Sequence, residues 1–173
     1  MKKELVLTAC MFFLLSSALF SQNKYIGAAK CKMCHNAEAK GKQYTKWTES
    51  QHSKAFKTLQ GEAAKKIAKE KGVANPTTDA KCVKCHSTAL AINASLNGGI
   101  TKEEGVSCES CHGPGSAYKS PTIMKNLAER KKNGLIVPDE ALCKTCHNST
   151  SPTFKSFDFK TQSAKVAHPG PKK

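Results

Sequence analysis

The chain has 173 residues, of which 39% are hydrophobic and 6% aromatic, too few apolar side chains for a conventional core of that size. Its net charge of +15 comes without the aromatic or motif pattern of a nucleic-acid binder, so nucleic acid is not an expected partner. What stands out is nine cysteines and six histidines.

Residues 1–21 read as an export signal. Lys2 and Lys3 precede an almost unbroken apolar run from Leu5 to Phe20, and small residues lead to Ser21-Gln22. The run is shorter than the roughly 20 residues of a spanning helix, so cleavage is expected over anchoring. Leu7-Thr8-Ala9-Cys10 resembles a lipoprotein box, but the apolar run continues past it, and Cys10 belongs with the discarded peptide. Residues 22–173 then form one exported, periplasmic domain.

That domain opens with Cys31-Lys32-Met33-Cys34-His35. Tyr44, Trp47, Gln51, Ala55 and Leu59 follow at helical spacing, with His52 beside their shared face. Glu62 to Lys71 reads as a solvated helix ended by Gly72. Asn75-Pro76-Thr77-Thr78 is a turn before Cys82-Val83-Lys84-Cys85-His86, and Asn97-Gly98-Gly99 breaks the chain again. Next comes Cys108-Glu109-Ser110-Cys111-His112, flanked by Gly105, Gly113, Pro114 and Gly115, which would let backbone approach a flat cofactor. Pro121 to Lys132 is a basic amphipathic helix followed by Gly134, and Pro138-Asp139-Glu140 opens a helix carrying Cys143-Lys144-Thr145-Cys146-His147. Phe154, Phe157 and Phe159 form the aromatic-dense run, with expected packing on cofactor faces or edges. Val166-Ala167-His168-Pro169 precedes a frayed tail from Gly170. No strand pattern of useful length occurs.

The four Cys-x-x-Cys-His segments use eight of the nine cysteines and four of the six histidines. Disulfides or zinc could employ the cysteines of an exported chain, but neither needs a histidine after every second cysteine. Covalent haem c does: the thiols become thioethers and the histidine binds iron. The motifs begin at residues 31, 82, 108 and 143, intervals too unequal for a simple repeat. Four haems would supply the missing core, leave the apoprotein largely unfolded, and lie close together in so short a chain. The expected fold is mainly α, short helices and loops wrapped around four closely packed haems, with little or no sheet.

His35, His86, His112 and His147 take the proximal positions, and His52 and His168 are the remaining imidazoles for distal ligation. At most two haems can then be bis-histidine within one chain. Met33 is poorly placed inside its motif. Met124 could reach one iron and would raise its potential, although on a helix face it reads first as packing. One or two irons are left to lysine, water or an open position.

Tyr25-Ile26-Gly27, Trp47-x-x-Ser50-x-His52, the Gly105-Val106 and Gly113-Pro114-Gly115 flanks of the third motif, and Phe157-Asp158-Phe159 with His168-Pro169 resemble the tetrahaem cytochrome c-554 family over nearly all of residues 22–173. The resemblance implies a mainly helical fold, haems in closely stacked pairs, and a periplasmic electron carrier. It implies that His86 serves a five-coordinate haem and that His52 and His168 are distal ligands. Where the family carries a third distal histidine, this chain reads Ser116-Ala117-Tyr118-Lys119-Ser120-Pro121, so the first haem is expected to lack its histidine as well. The expected function is electron transfer between redox partners, such as acidic cytochromes or a quinone-linked membrane complex, with peripheral membrane contact through the lysine-rich surface. The alternative is a redox enzyme or sensor for a small nitrogen oxide at a five-coordinate haem.

Overall fold

In chain order the helices are α1 (Ala28–His35), α2 (Gln43–Glu49), α3 (Ala55–Thr58), α4 (Glu62–Glu70), α5 (Ala80–His86), α6 (Thr88–Ala91), α7 (Cys108–His112), α8 (Pro121–Met124), α9 (Leu127–Lys132), α10 (Glu140–Lys144) and α11 (Phe159–Val166). The computed structural model describes residues 22–168. The export signal over residues 1–21, Cys10 and the frayed tail lie outside the described residues. The chain is mainly helical. Among the described residues the β-pairing is an isolated parallel bridge between Tyr25 and Asn97.

Residues at i, i+3 and i+4 share one helix face, and this periodicity suits two thiols followed by an imidazole. The first three motifs lie wholly within α1, α5 and α7. The fourth is only half helical: α10 holds Cys143, and Cys146 and His147 occupy the turn beyond. Short polar side chains start several helices by accepting otherwise orphaned amides. Asp79 accepts from the Lys81 amide, Asp139 from Leu142 and Asp158 from Thr161, each at 2.8 Å.

Two expected helices are split by such side chains. The Tyr44–Leu59 face is interrupted at Ser50, which is extended, while its hydroxyl donates to the Trp47 carbonyl at 2.7 Å. The chain then turns through His52 before α3. The basic segment Pro121–Lys132 is two helices, because the Asn126 side chain caps α9 by accepting from the Ala128 and Glu129 amides. Local side-chain-to-backbone bonding competes with helix continuation in both places. The helix ahead of Gly72 does end as expected: Gly72 has φ +64° and the Val73 amide reaches back to the Ala68 carbonyl at 2.8 Å.

The apolar core is small, as composition dictates. Phe56 and Leu59, from and just after α3, pack with Val83 of α5, and Cys82 leans against them. Ile26, Ala28, Ile100 and Tyr118 are buried apart from that cluster. Buried as well is a charged residue inside the third motif, Glu109, only 2% exposed. Its carboxylate accepts from the amides of Ile26 (2.9 Å), Gly27 (2.8 Å) and Gly115 (2.7 Å). Glu104 repeats the device nearby, accepting from the Ala28 amide (2.9 Å) and the Ser107 hydroxyl (2.7 Å).

Glu109→Ala would strand three buried donors and is expected to cost about 3 kcal/mol. Glu109→Gln keeps one acceptor oxygen but turns an NH2 toward backbone N–H groups, so it should cost less than Ala yet more than a surface change. Denaturant unfolding of the haem-loaded protein checks both, as a lowered midpoint in the order Ala, Gln, native.

Candidate functional site

Among the described residues the eight motif thiols carry no disulfide, and no three His, Cys, Asp or Glu side chains converge on a single metal-ion site. The first, third and fourth motifs instead open onto one cavity of about 530 Å3, lined by Cys31, Cys108, Cys111 and Cys143 and by the imidazoles of His35, His52, His112 and His168. Its remaining wall is largely apolar. Leu127, Ile136, Val137 and Val166 line it and are exposed, a surface that a flat apolar macrocycle would cover. Arg130, the chain's one arginine, also lines it, and its buried Nε has no hydrogen-bond partner among the described residues. That cation suits a carboxylate such as a haem propionate.

The histidines converge in pairs. The rings of His52 and His147 lie 6.0 Å apart between centroids, and those of His112 and His168 lie 5.8 Å apart. A metal about 2 Å from each of two facing imidazole nitrogens separates the rings by about 6 Å. Both spacings fit one iron between each pair. Phe157 stacks on His147 at 4.9 Å and 20°, an imidazole rather than the cofactor face expected of the aromatic run, and Phe159 lines the cavity. The pairs use both imidazoles outside the motifs, so neither spare histidine is left for His35 or His86.

Backbone contacts aim these rings. The Nδ1–H of His86 donates to the Ala55 carbonyl at 2.9 Å, and that of His112 to the Ile136 carbonyl at 3.3 Å. A carbonyl only accepts, so Nε2 of each ring is left as the ligand nitrogen. His52 is fixed through its own backbone: its carbonyl accepts from the Val106 amide at 2.9 Å, while the Val106 carbonyl accepts from Trp47 Nε1 at 2.9 Å. Gly105 permits this crossing. It has φ +63°, and a Cβ there would sit 2.6 Å from the His52 carbonyl oxygen. The glycine expected to admit a cofactor thus admits backbone. Burial, then the nearby His147, lowers the His52 pKa, and burial chiefly lowers that of His112. Both favour the neutral imidazole that binds metal.

Thiols meet across motifs. A hydrogen bond from Cys108 pulls the Cys31 thiol down, and the same contact pushes Cys108 well up. Burial, then a hydrogen bond with Cys146, pushes Cys85 up to about 11. The first motif therefore adjoins the third, and the second adjoins the fourth.

The family model for cytochrome c554 and c-prime matches residues 30–113. Cytochrome c-554 of Nitrosomonas europaea is 32% identical over 167 residues, an alignment covering 82% of this chain and 66% of that relative's length. No solved structure matches the chain. The chain belongs to the cytochrome c-554 family. It is a c-type cytochrome, and haem c held covalently is what that family implies.

The structure brings together most of the sequence-predicted residues: the first, third and fourth motifs share the cavity with His52 and His168. Cys82, Cys85 and His86 stand outside that cavity, joined to the group through Cys146. Sequence reasoning missed Glu109 and the Trp47–Val106 bond. The only sign of the first was the glycine-rich flank whose amide it binds.

His168→Ala is expected to convert one low-spin iron of the loaded protein to high-spin, and His52→Ala a different one. The double variant should convert two. Electron paramagnetic resonance checks the count, and added imidazole should restore the low-spin signals.

Proposed function

We propose that this chain is a periplasmic tetrahaem electron carrier. The observation that carries the reading is the convergence of imidazoles, His52 with His147 and His112 with His168, beside a cavity onto which three of the four motifs open. In so short a chain this sets the cofactor anchors side by side, which supports close haem stacking. Cys31, Cys34, Cys82, Cys85, Cys108, Cys111, Cys143 and Cys146 are the covalent anchors. His35, His86, His112 and His147 are the proximal ligands, with His168 opposite His112 and His52 opposite His147. Haem c bound in this way supplies reversible one-electron chemistry with a potential set by its axial ligands.

The protein's own contribution is placement and shielding. Carbonyls of Ala55 and Ile136 orient two imidazoles, Phe157 covers a third, and Arg130 offers a counter-charge for a carboxylate. The four ion pairs found among the described residues are exposed and contribute little to stability, so most of the lysine excess remains a solvated positive surface. That surface favours acidic redox proteins or an anionic membrane face as docking partners. No helix among the described residues is long and apolar enough to cross a membrane.

One feature favours a second reading, a small nitrogen-oxide enzyme or sensor. His86 is oriented as a ligand, yet no second imidazole is left for it. A single preparation separates the two. For the carrier, the exported chain should gain the mass of four haems, titrate in four one-electron steps and be re-oxidised by an acidic cytochrome at a rate that falls with salt. Steady turnover of nitrite or hydroxylamine, or binding of fewer than four haems, would sink the carrier reading.

A further inference from the structure

His35 raises a question that differs from the one at His86. Both lack an imidazole partner, but His35 lines the main cavity and His86 does not. Among the other donors on that cavity, Lys46 is an exposed, hydrated ammonium that would have to lose a proton before binding a metal. Tyr118 is engaged, its hydroxyl donating to the carbonyls of His112 (3.1 Å) and Gly113 (2.9 Å). Tyr44 packs its ring on Trp47 at 5.4 Å, with Lys32 Nζ 5.4 Å over its face. Met124 remains. Its thioether is neutral, soft and needs no deprotonation to bind iron. The other methionine among the described residues, Met33, is 78% exposed and does not line the cavity.

Met124 is also held in place. Residues 113–136 leave the third motif and return to it, because the Ile136 amide donates to the His112 carbonyl at 3.0 Å. Tyr118 tightens the same neck through its two hydrogen bonds. A tether from the Asn23 side chain to the Asn133 carbonyl, 3.0 Å, fixes the returning arm. Met124 ends α8 within this closed loop, where Asn126 stops the helix from running on into α9. The helix break missed in the sequence therefore sets a thioether, rather than a continuous packed face, beside the cavity.

We infer that Met124 is the axial ligand opposite His35, giving the haem anchored at Cys31 and Cys34 a mixed histidine–methionine set. This rests on the tetrahaem reading above. Such a set raises the potential of that haem relative to the bis-histidine pair at His112 and His168, making it the preferred resting place for an electron. It also leaves His86 as the only site without a second protein ligand.

The test uses the exported protein with all haems attached, its haem count verified by mass. In the ferric state the native protein should show the near-infrared charge-transfer band of a methionine–iron bond, with one high-spin iron and three low-spin. Met124→Leu preserves the packing volume and should abolish the band and raise the high-spin count to two. Met124→His should lose the band, keep three low-spin irons and shift one of the four midpoint potentials downward. Absence of the band from a native protein carrying four haems overturns this assignment alone, as does its persistence in Met124→Leu. Absence of haem from Cys31 and Cys34 overturns both this assignment and the tetrahaem reading.

Discussion

A buried carboxylate inside a cofactor motif is the contact on which the rest of this structure leans. Glu109 lies between Cys108 and Cys111 and takes three backbone amides from two places in the chain. Two come from the segment that leads into the first motif, and one from the turn that leaves the third. A buried anion without such partners would cost several kcal/mol, so the carboxylate and its donors are retained together. The consequence is positional. α1 is pinned against α7, which makes Cys31 and Cys108 neighbours.

The third motif is thereby a hub. Its N-terminal flank, Gly105-Val106, carries His52 through a backbone crossing that only glycine allows. Its C-terminal flank returns at Ile136 to orient His112. Ser107 binds a second, half-buried carboxylate, Glu104, and its amide donates to the Thr88 hydroxyl at 2.9 Å, which ties in the region just beyond the second motif. Polar contacts supply the order that a larger apolar core would otherwise impose, since only Phe56, Leu59 and Val83 form a clustered core among the described residues.

The cofactor chemistry was legible in the sequence because covalent haem attachment demands a fixed local pattern, and each motif could be read without knowing the fold. Helix starts at Asp79, Asp139 and Asp158 obey local capping rules, so they too can be read in advance. The breaks at Ser50 and Asn126 were harder. Apolar periodicity runs through both, and the winning interaction is a single side-chain hydrogen bond whose geometry the periodicity does not encode. Ligand pairing was out of reach altogether. Nothing in the spacing of His52 or His168 says which motif each will face, because that depends on long-range crossings such as Val106 with His52. The count of imidazoles was nonetheless legible: with two outside the motifs against four inside, at most two motif histidines can face another.

Pairing also bears on how such a chain can be assembled. Thiols of different motifs neighbour one another, Cys31 with Cys108 and Cys85 with Cys146. A disulfide formed across either pair would remove an anchor from two motifs at once. The small apolar core offers little to hold the chain open against that outcome. Thioether formation consumes reduced thiols, so such a disulfide would compete with it. The closeness of the motifs thus makes the unliganded thiols a vulnerable point in the protein's formation.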